Sequence, residues 1–188
     1  MSAEESIVQI YARANDPMRI NIIFEHFDNF ISLVDMFEED LHCVLKEEKR
    51  VNKRDERGDT GVRVQTSVIG DPTGNEATNN VQLMRDMQSG SIAEALKGTD
   101  DDIDHETEIL TLRMMRSDYR AINKAIEQLK PKPRTELKDI LCGVRDLSTI
   151  ADDTKSGYDA TKHRLNRSRG KVRRRGIVYM RRDRQMLA

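Results

Sequence analysis

Asp159, Lys162, His163, Asn166 and Arg167 carry side chains of the types that read the edges of nucleobases. Their spacing of three and four residues places them on one face of a helix. An arginine pairs bidentately with guanine and an asparagine with adenine, so a helix presenting both suits base recognition in a major groove. Lys155, Arg164, Arg169, Lys171, Arg173, Arg174 and Arg175 surround this set. Cations at that density suit phosphate oxygens, which position a duplex without reporting its sequence. Charge distribution points the same way. Residues 1–129 hold 15 Lys and Arg against 26 Asp and Glu, a net charge of −11, whereas residues 130–188 hold 17 against 7, a net charge of +10. A basic segment on an acidic body implies a polyanionic partner for the basic end.

The element that must carry these side chains is a helix over residues 158–175. Its inward face is predicted to hold Tyr158, Thr161, Leu165, Ser168 and Val172, and its outward face Asp159, His163, Asn166, Arg167 and Gly170. A shorter helix over 147–154 precedes it, with Ile150 and Thr154 facing inward and the small Ala151 where two helices cross closely. Lys155, Ser156 and Gly157 form the turn between them, which gives helix-turn-helix spacing. A further helix over 134–142, ended by Gly143, leads in.

The segment LSTIADDTKSGYDATKHRLNRSRGKVRR resembles region four of bacterial sigma factors. Ile150, Ala151, Lys162, Arg164, Leu165, Arg167, Arg169, Lys171 and Arg173 stand where that family has similar residues. The upstream LKPKPRTELKDIL is similar to that region's first helix and its proline-containing lead-in. The resemblance covers residues 129–176, and this chain departs from the family at the turn, with Thr154 and Lys155 in place of the usual Leu-Gly, and with Thr161 in place of an aliphatic residue. The N-terminal part has no counterpart of sigma region two. The whole chain resembles phage-encoded regulators of the ArpU and RinA type, which join an N-terminal helical region to a sigma-region-four-like domain. That resemblance implies a transcription regulator, an activator of phage or prophage late genes, that binds promoter double-stranded DNA in the cytoplasm of a bacterial host and contacts host RNA polymerase.

The remainder of the chain reads as helical support. Asp16 is placed to cap a helix with Pro17 in its first turn. Ile20, Ile23, Phe27, Phe30, Val34, Phe37, Leu41 and Val44 step by three and four in a heptad seam. One helix cannot bury such a seam alone, so it needs a partner helix from this chain or from a second copy, and a homodimer is the expected assembly. Glycines at 58, 61, 70 and 74 with Pro72 mark an irregular loop near 58–75 that contains a possible short strand within 62–69. Thr73 and Glu76 have capping-box spacing, predicting a helix from about Asn75 to Leu96 with Gly90 as a weak point. Asp100 to Asp104 suit a helix N-terminus. Leu112, Met115, Tyr119, Ile122, Ile126 and Leu129 form a second seam, expected to pack on the first, and Pro131 and Pro133 stop it. The expected fold is therefore all-α, with an elongated, coiled-coil-like N-terminal region (1–129) followed by a C-terminal helix-turn-helix domain with a basic tail (130–188).

The sequence supplies little for other chemistry. His26, His42, His105 and His163 have no metal-ligand pairing, and Cys43 and Cys142 are isolated, so neither a metal nor a disulfide framework is expected. The acidic run at 100–104 lacks the glycine and distal glutamate of a calcium loop. No nucleophile, base and orienting residue come together, no cofactor motif is present, and no apolar run reaches membrane-spanning length. An alternative reading is a DNA-packaging protein of the small terminase subunit kind, although there the DNA-binding domain usually comes first in the chain. A recombinase fragment ranks below both, because the N-terminal part lacks the mixed α/β pattern and nucleophilic serine.

Overall fold

The computed structural model describes residues 6–56, 72–100 and 104–187. Among them every regular element is a helix. The possible strand within 62–69 lies outside the described residues. The elements are α1 (Ile7–Arg13), α2 (Asp16–Glu25), α3 (Phe30–Glu56), α4 (Pro72–Ser89), α5 (Ile92–Leu96), α6 (His105–Glu127), α7 (Pro131–Leu141), α8 (Leu147–Asp153) and α9 (Tyr158–Leu187). They fall into two compact units, one of residues 1–34 with 114–188 and one of residues 35–113, and α3 and α6 contribute to both.

Local chemistry sets most helix ends in the first unit. Ser6 and Gln9 cap α1 reciprocally, Ser6 Oγ accepting from the Gln9 amide and Gln9 Oε1 from the Ser6 amide. Asn15, rather than the expected Asp16, caps α2 through the Met18 amide at 3.0 Å. Asp16 is instead occupied by Arg181 and Arg184 of α9. These two bonds hold the Asp16 carboxyl below the usual carboxylate range, outweighing the rise that burial alone would cause.

The heptad seam is not one helix. The chain leaves α2 at His26 and re-enters helix at Phe30. Tyr119 fills the break, its hydroxyl donating to the Phe27 carbonyl at 3.4 Å and its ring lying 5.4 Å from Phe27 and 5.6 Å from Phe30. The expected packing of the two seams on each other is thus present within this unit. Along α3 the buried line runs Phe30, Val34, Glu38, Leu41 and Leu45, while Phe37 is half-buried and Val44 is exposed. Val34 to Leu45 is an eleven-residue step, close to the period of a straight helix. A coiled-coil seam would have kept the seven-residue step from Phe37 to Val44 buried. Ile20, Ile23, Phe27, Phe30 and Val34 are buried against the chain itself, which removes the seam as an argument for a second copy.

A polar cluster crosses the same core. Asp118, 1% exposed, accepts a hydrogen bond from the Tyr11 hydroxyl at 3.0 Å. Burial pushes the Asp118 carboxyl up to about 6, against the opposing influence of the Tyr11 bond and the charges of Arg184 and Arg19. Arg19, itself buried, donates to the carbonyls of Tyr11 and Ala12, both at 3.2 Å, so its charge is held by backbone dipoles.

In the C-terminal segment α7 begins at Pro131, three residues before the expected start, because prolines are tolerated in a first helical turn. Gly143, at φ +64°, ends the turn after it. Asp146 caps α8 through the Thr149 amide at 2.7 Å. Arg145 bonds Asp139 of α7 and Asp153 of α8 and so staples the two together. At the turn Lys155 adopts φ +49°, in the left-handed region that favours glycine.

Two expectations about this segment are corrected. Helix α9 does not end near residue 175 but runs to Leu187, so the expected basic tail is part of the helix. Residues 130–188 are also not a separate domain, because they share a core with α1, α2 and α6. The cause is the run Gly176, Ile177, Val178, Tyr179 and Met180, in which Met180 is fully buried. A Cβ at Gly176 would stand 2.3 Å from Ile122 Cδ1, so the absent side chain lets α9 close on α6. Lys124 covers the Tyr179 ring at 5.2 Å from its centroid.

The second unit has a core of Leu41, Leu45, Leu83, Met87, Ala95, Ile109 and Leu112. Helix α4 already starts at Pro72, ahead of the position that Thr73 and Glu76 predict. It stops at Gly90, whose φ is +92° and whose Cβ, if present, would collide with the Arg113 guanidinium at 2.2 Å. The single helix expected through Leu96 is therefore two, α4 and α5. Asp104 caps α6 through the Thr107 amide at 3.0 Å. His105 is buried between Glu48 at 2.9 Å and Glu108 at 3.3 Å. Burial lowers the His105 pKa, but the two carboxylates outweigh it and leave it raised.

Candidate nucleic-acid interface

Helices α7 and α8 each pack on α9, which turns a regular face to each side. Thr161, Leu165, Ser168 and Val172 are buried, as the helical period predicts. Tyr158, the first residue of α9, departs from that expectation at 54% exposed. Ser168 returns its hydroxyl to the Arg164 carbonyl at 3.1 Å, which satisfies it inside the core. Thr161 Oγ1 is buried with no hydrogen-bond partner among the described residues.

All five residues predicted to read bases, Asp159, Lys162, His163, Asn166 and Arg167, are exposed. None of their side chains takes a hydrogen bond or ion pair within the described residues. Asp159 stands in the first turn of α9, where a carboxylate also complements the helix dipole. His163, Asn166, Arg167, Gly170, Lys171 and Arg174 together line a shallow concavity along the helix. The line from His163 to Arg174 is about 16 Å long at the helical rise. Across the whole face four cations, Lys162, Arg167, Lys171 and Arg174, stand against one carboxylate, Asp159.

The seven cations expected to hold phosphate divide by their angle around the helix. Lys155, Lys171 and Arg174 are exposed and unpaired among the described residues. The other four point elsewhere. Arg164 grips Glu136 of α7 in a bidentate pair, Nε to Oε2 at 2.9 Å and Nη2 to Oε1 at 3.1 Å, and the Glu136 side chain is 4% exposed. Arg173 donates to Asn21 Oδ1 at 2.6 Å and lies 5.9 Å from the Phe24 ring centroid. Arg175 donates to the Gln128 carbonyl at 3.1 Å. Arg169 is half-buried, with its Nε enclosed and without a hydrogen-bond partner. Arg164 and Arg175 fall on one flank of the helix and Arg169 on the other, next to the buried face, while Arg173 is exposed and turns to Asn21. Neither basic composition nor helical angle reveals this division, since Arg164 lies beside Lys171 and Arg173 beside Asn166 around the helix; the partners Glu136, Asn21 and the Gln128 carbonyl make it.

Glu136, Asn21 and Gly170 were not among the predicted site residues. Glu136 sits in KPRTELKDIL as one of two acids among three bases, and Asn21 is far away in sequence, so neither carries a local signal. Among the described residues no group of three His, Cys, Asp or Glu is arranged to hold a metal ion, and no helix is long and apolar enough to cross a membrane. In comparisons with protein-family models, curated proteins and solved structures, nothing matches this chain.

Proposed function

We propose that this chain is a sequence-specific DNA-binding transcription regulator that uses α8, the turn after it and α9 as a helix-turn-helix. The observation that carries this reading is the sorting of charge on α9. Arg164, Arg173 and Arg175 each bond a partner on another part of the chain, Arg164 half-buried and the other two at the surface, while Lys162, His163, Asn166, Arg167, Lys171 and Arg174 are exposed and unpartnered among the described residues. A merely solvated basic helix has no reason to keep its unpaired donors on one face. In this reading the first turns of α9 enter the major groove, with Asn166 and Arg167 at base edges and Lys171 and Arg174 on phosphates. Tethering of the far end of α9 to Asp16 holds the reading helix rigid, so recognition side chains need little ordering on binding. The sigma-like sequence of this segment supports assignment to the phage and prophage late-gene regulators.

Binding isotherms on duplex DNA test the proposal. Arg167→Ala should cost about 1–3 kcal/mol on the preferred site and relax preference at one base position. Lys171→Ala should weaken binding to all sequences alike and reduce the salt slope by about 1. Equal, sequence-independent losses for both variants would remove the base-reading role from Arg167.

A further inference from the structure

Helix α9 has two interior glycines, and they differ in kind. Gly176 has an intramolecular reason: a Cβ there would strike Ile122. Gly170 has none, since a Cβ built on it meets nothing within 4 Å and its backbone is not in the left-handed region. Glycine in the middle of a helix is unfavourable relative to alanine, so an unforced one on an open face calls for a cause outside the fold. Its surroundings supply that cause. Gly170 lines a shallow concavity together with His163, Asn166, Arg167, Lys171 and Arg174. Three of those side chains are cations without partners among the described residues.

From this geometry we infer that Gly170 is a contact residue, at which a phosphodiester of the DNA backbone comes against the helix backbone itself. Arg167, Lys171 and Arg174 converge on that phosphate from around the dent. A methyl group at 170 would stand in the concavity and hold the phosphate away from all three. The position follows the helix axis: Gly170 lies one turn beyond Asn166 and Arg167, where a helix that has presented base-reading side chains meets the rim of the groove. This inference rests on the DNA-binding reading above and adds to it a residue that neither charge nor hydrogen-bonding capacity identifies.

The test compares the full chain with its Gly170→Ala variant in thermal unfolding and in binding to a short random-sequence duplex across a salt series. Alanine should raise the melting temperature by about 2 °C, because it favours helix and displaces nothing. The same change should weaken DNA binding by roughly tenfold and flatten the salt dependence, since fewer counterions are released. A more stable protein with weaker DNA binding is the supporting result. If Gly170→Ala binds as the wild type does while Arg167→Ala is impaired, the inference is wrong and the DNA-binding reading stands. If the wild-type chain itself shows no salt-dependent binding to any duplex, both fail together.

Discussion

Arg164 separates two accounts of the basic helix. By composition it belongs with the phosphate contacts; by geometry it is a structural clamp on Glu136. Replacing it with alanine would leave a carboxylate whose side chain is 4% exposed without its counter-charge. Breaking a fully buried pair costs about 3–5 kcal/mol. The Arg164 side chain is 31% exposed, so water reaches the vacated side and screens part of that loss. About 2–3 kcal/mol remains for Arg164→Ala, a fall of about 4–12 °C in melting temperature for a chain of this size. Arg164→Leu combined with Glu136→Leu should recover most of the loss, because the unpaired charge goes with its partner. Thermal unfolding followed by circular dichroism measures both, and binding well below the transition should keep the wild-type salt slope. An Arg164→Ala protein that melts like wild type but loses about one counterion from its salt slope would put Arg164 on phosphate and refute the clamp.

The other expectations follow from particular positions. The folded-state pKa of Asp118, about 6, lies above its ordinary 3.8, so its charge opposes folding at neutral pH and that cost is relieved as pH falls through 6 towards 4. Asp118→Asn should therefore stabilise the protein by up to about 3 kcal/mol above pH 6 and by little near pH 4; urea midpoints across that range check it, and a pH-independent difference would contradict it. Lys155→Gly should add about 1 kcal/mol of stability by relieving the left-handed residue after α8, read from the same midpoints. Gly176→Val should destabilise by about 1–3 kcal/mol, since Ile122 must yield to a side chain that has no space, and an unchanged melting temperature would show that α9 does not close on α6.

The sequence was most legible where a period or a cap decides the outcome. Thr161, Leu165, Ser168 and Val172 fall inward because the helical repeat sends them there, and the five base-reading candidates fall outward for the same reason. Gly143 and Asp146 end and begin their helices by local hydrogen bonding. Less legible were features that depend on distant partners. Nothing near Arg164 announces Glu136, and nothing near Arg173 announces Asn21, yet those contacts occupy both arginines within the chain. The heptad from Ile20 to Val44 misled because three-and-four spacing fits both a coiled coil and a straight helix interrupted once. A buried Leu45 beside an exposed Val44 distinguishes them. The boundary at Pro131 was similarly local: prolines end one helix and open the next, but they do not divide a core that Gly176 and Met180 rejoin.

We propose that the open face of α9 reads DNA sequence. Selection of bound molecules from a random duplex library at physiological salt, with the full chain, tests it most directly. Enrichment of one motif is expected, with loss of preference at one position of that motif in the Arg167→Ala protein. Recovery of unenriched DNA, with binding governed by salt alone, would contradict it.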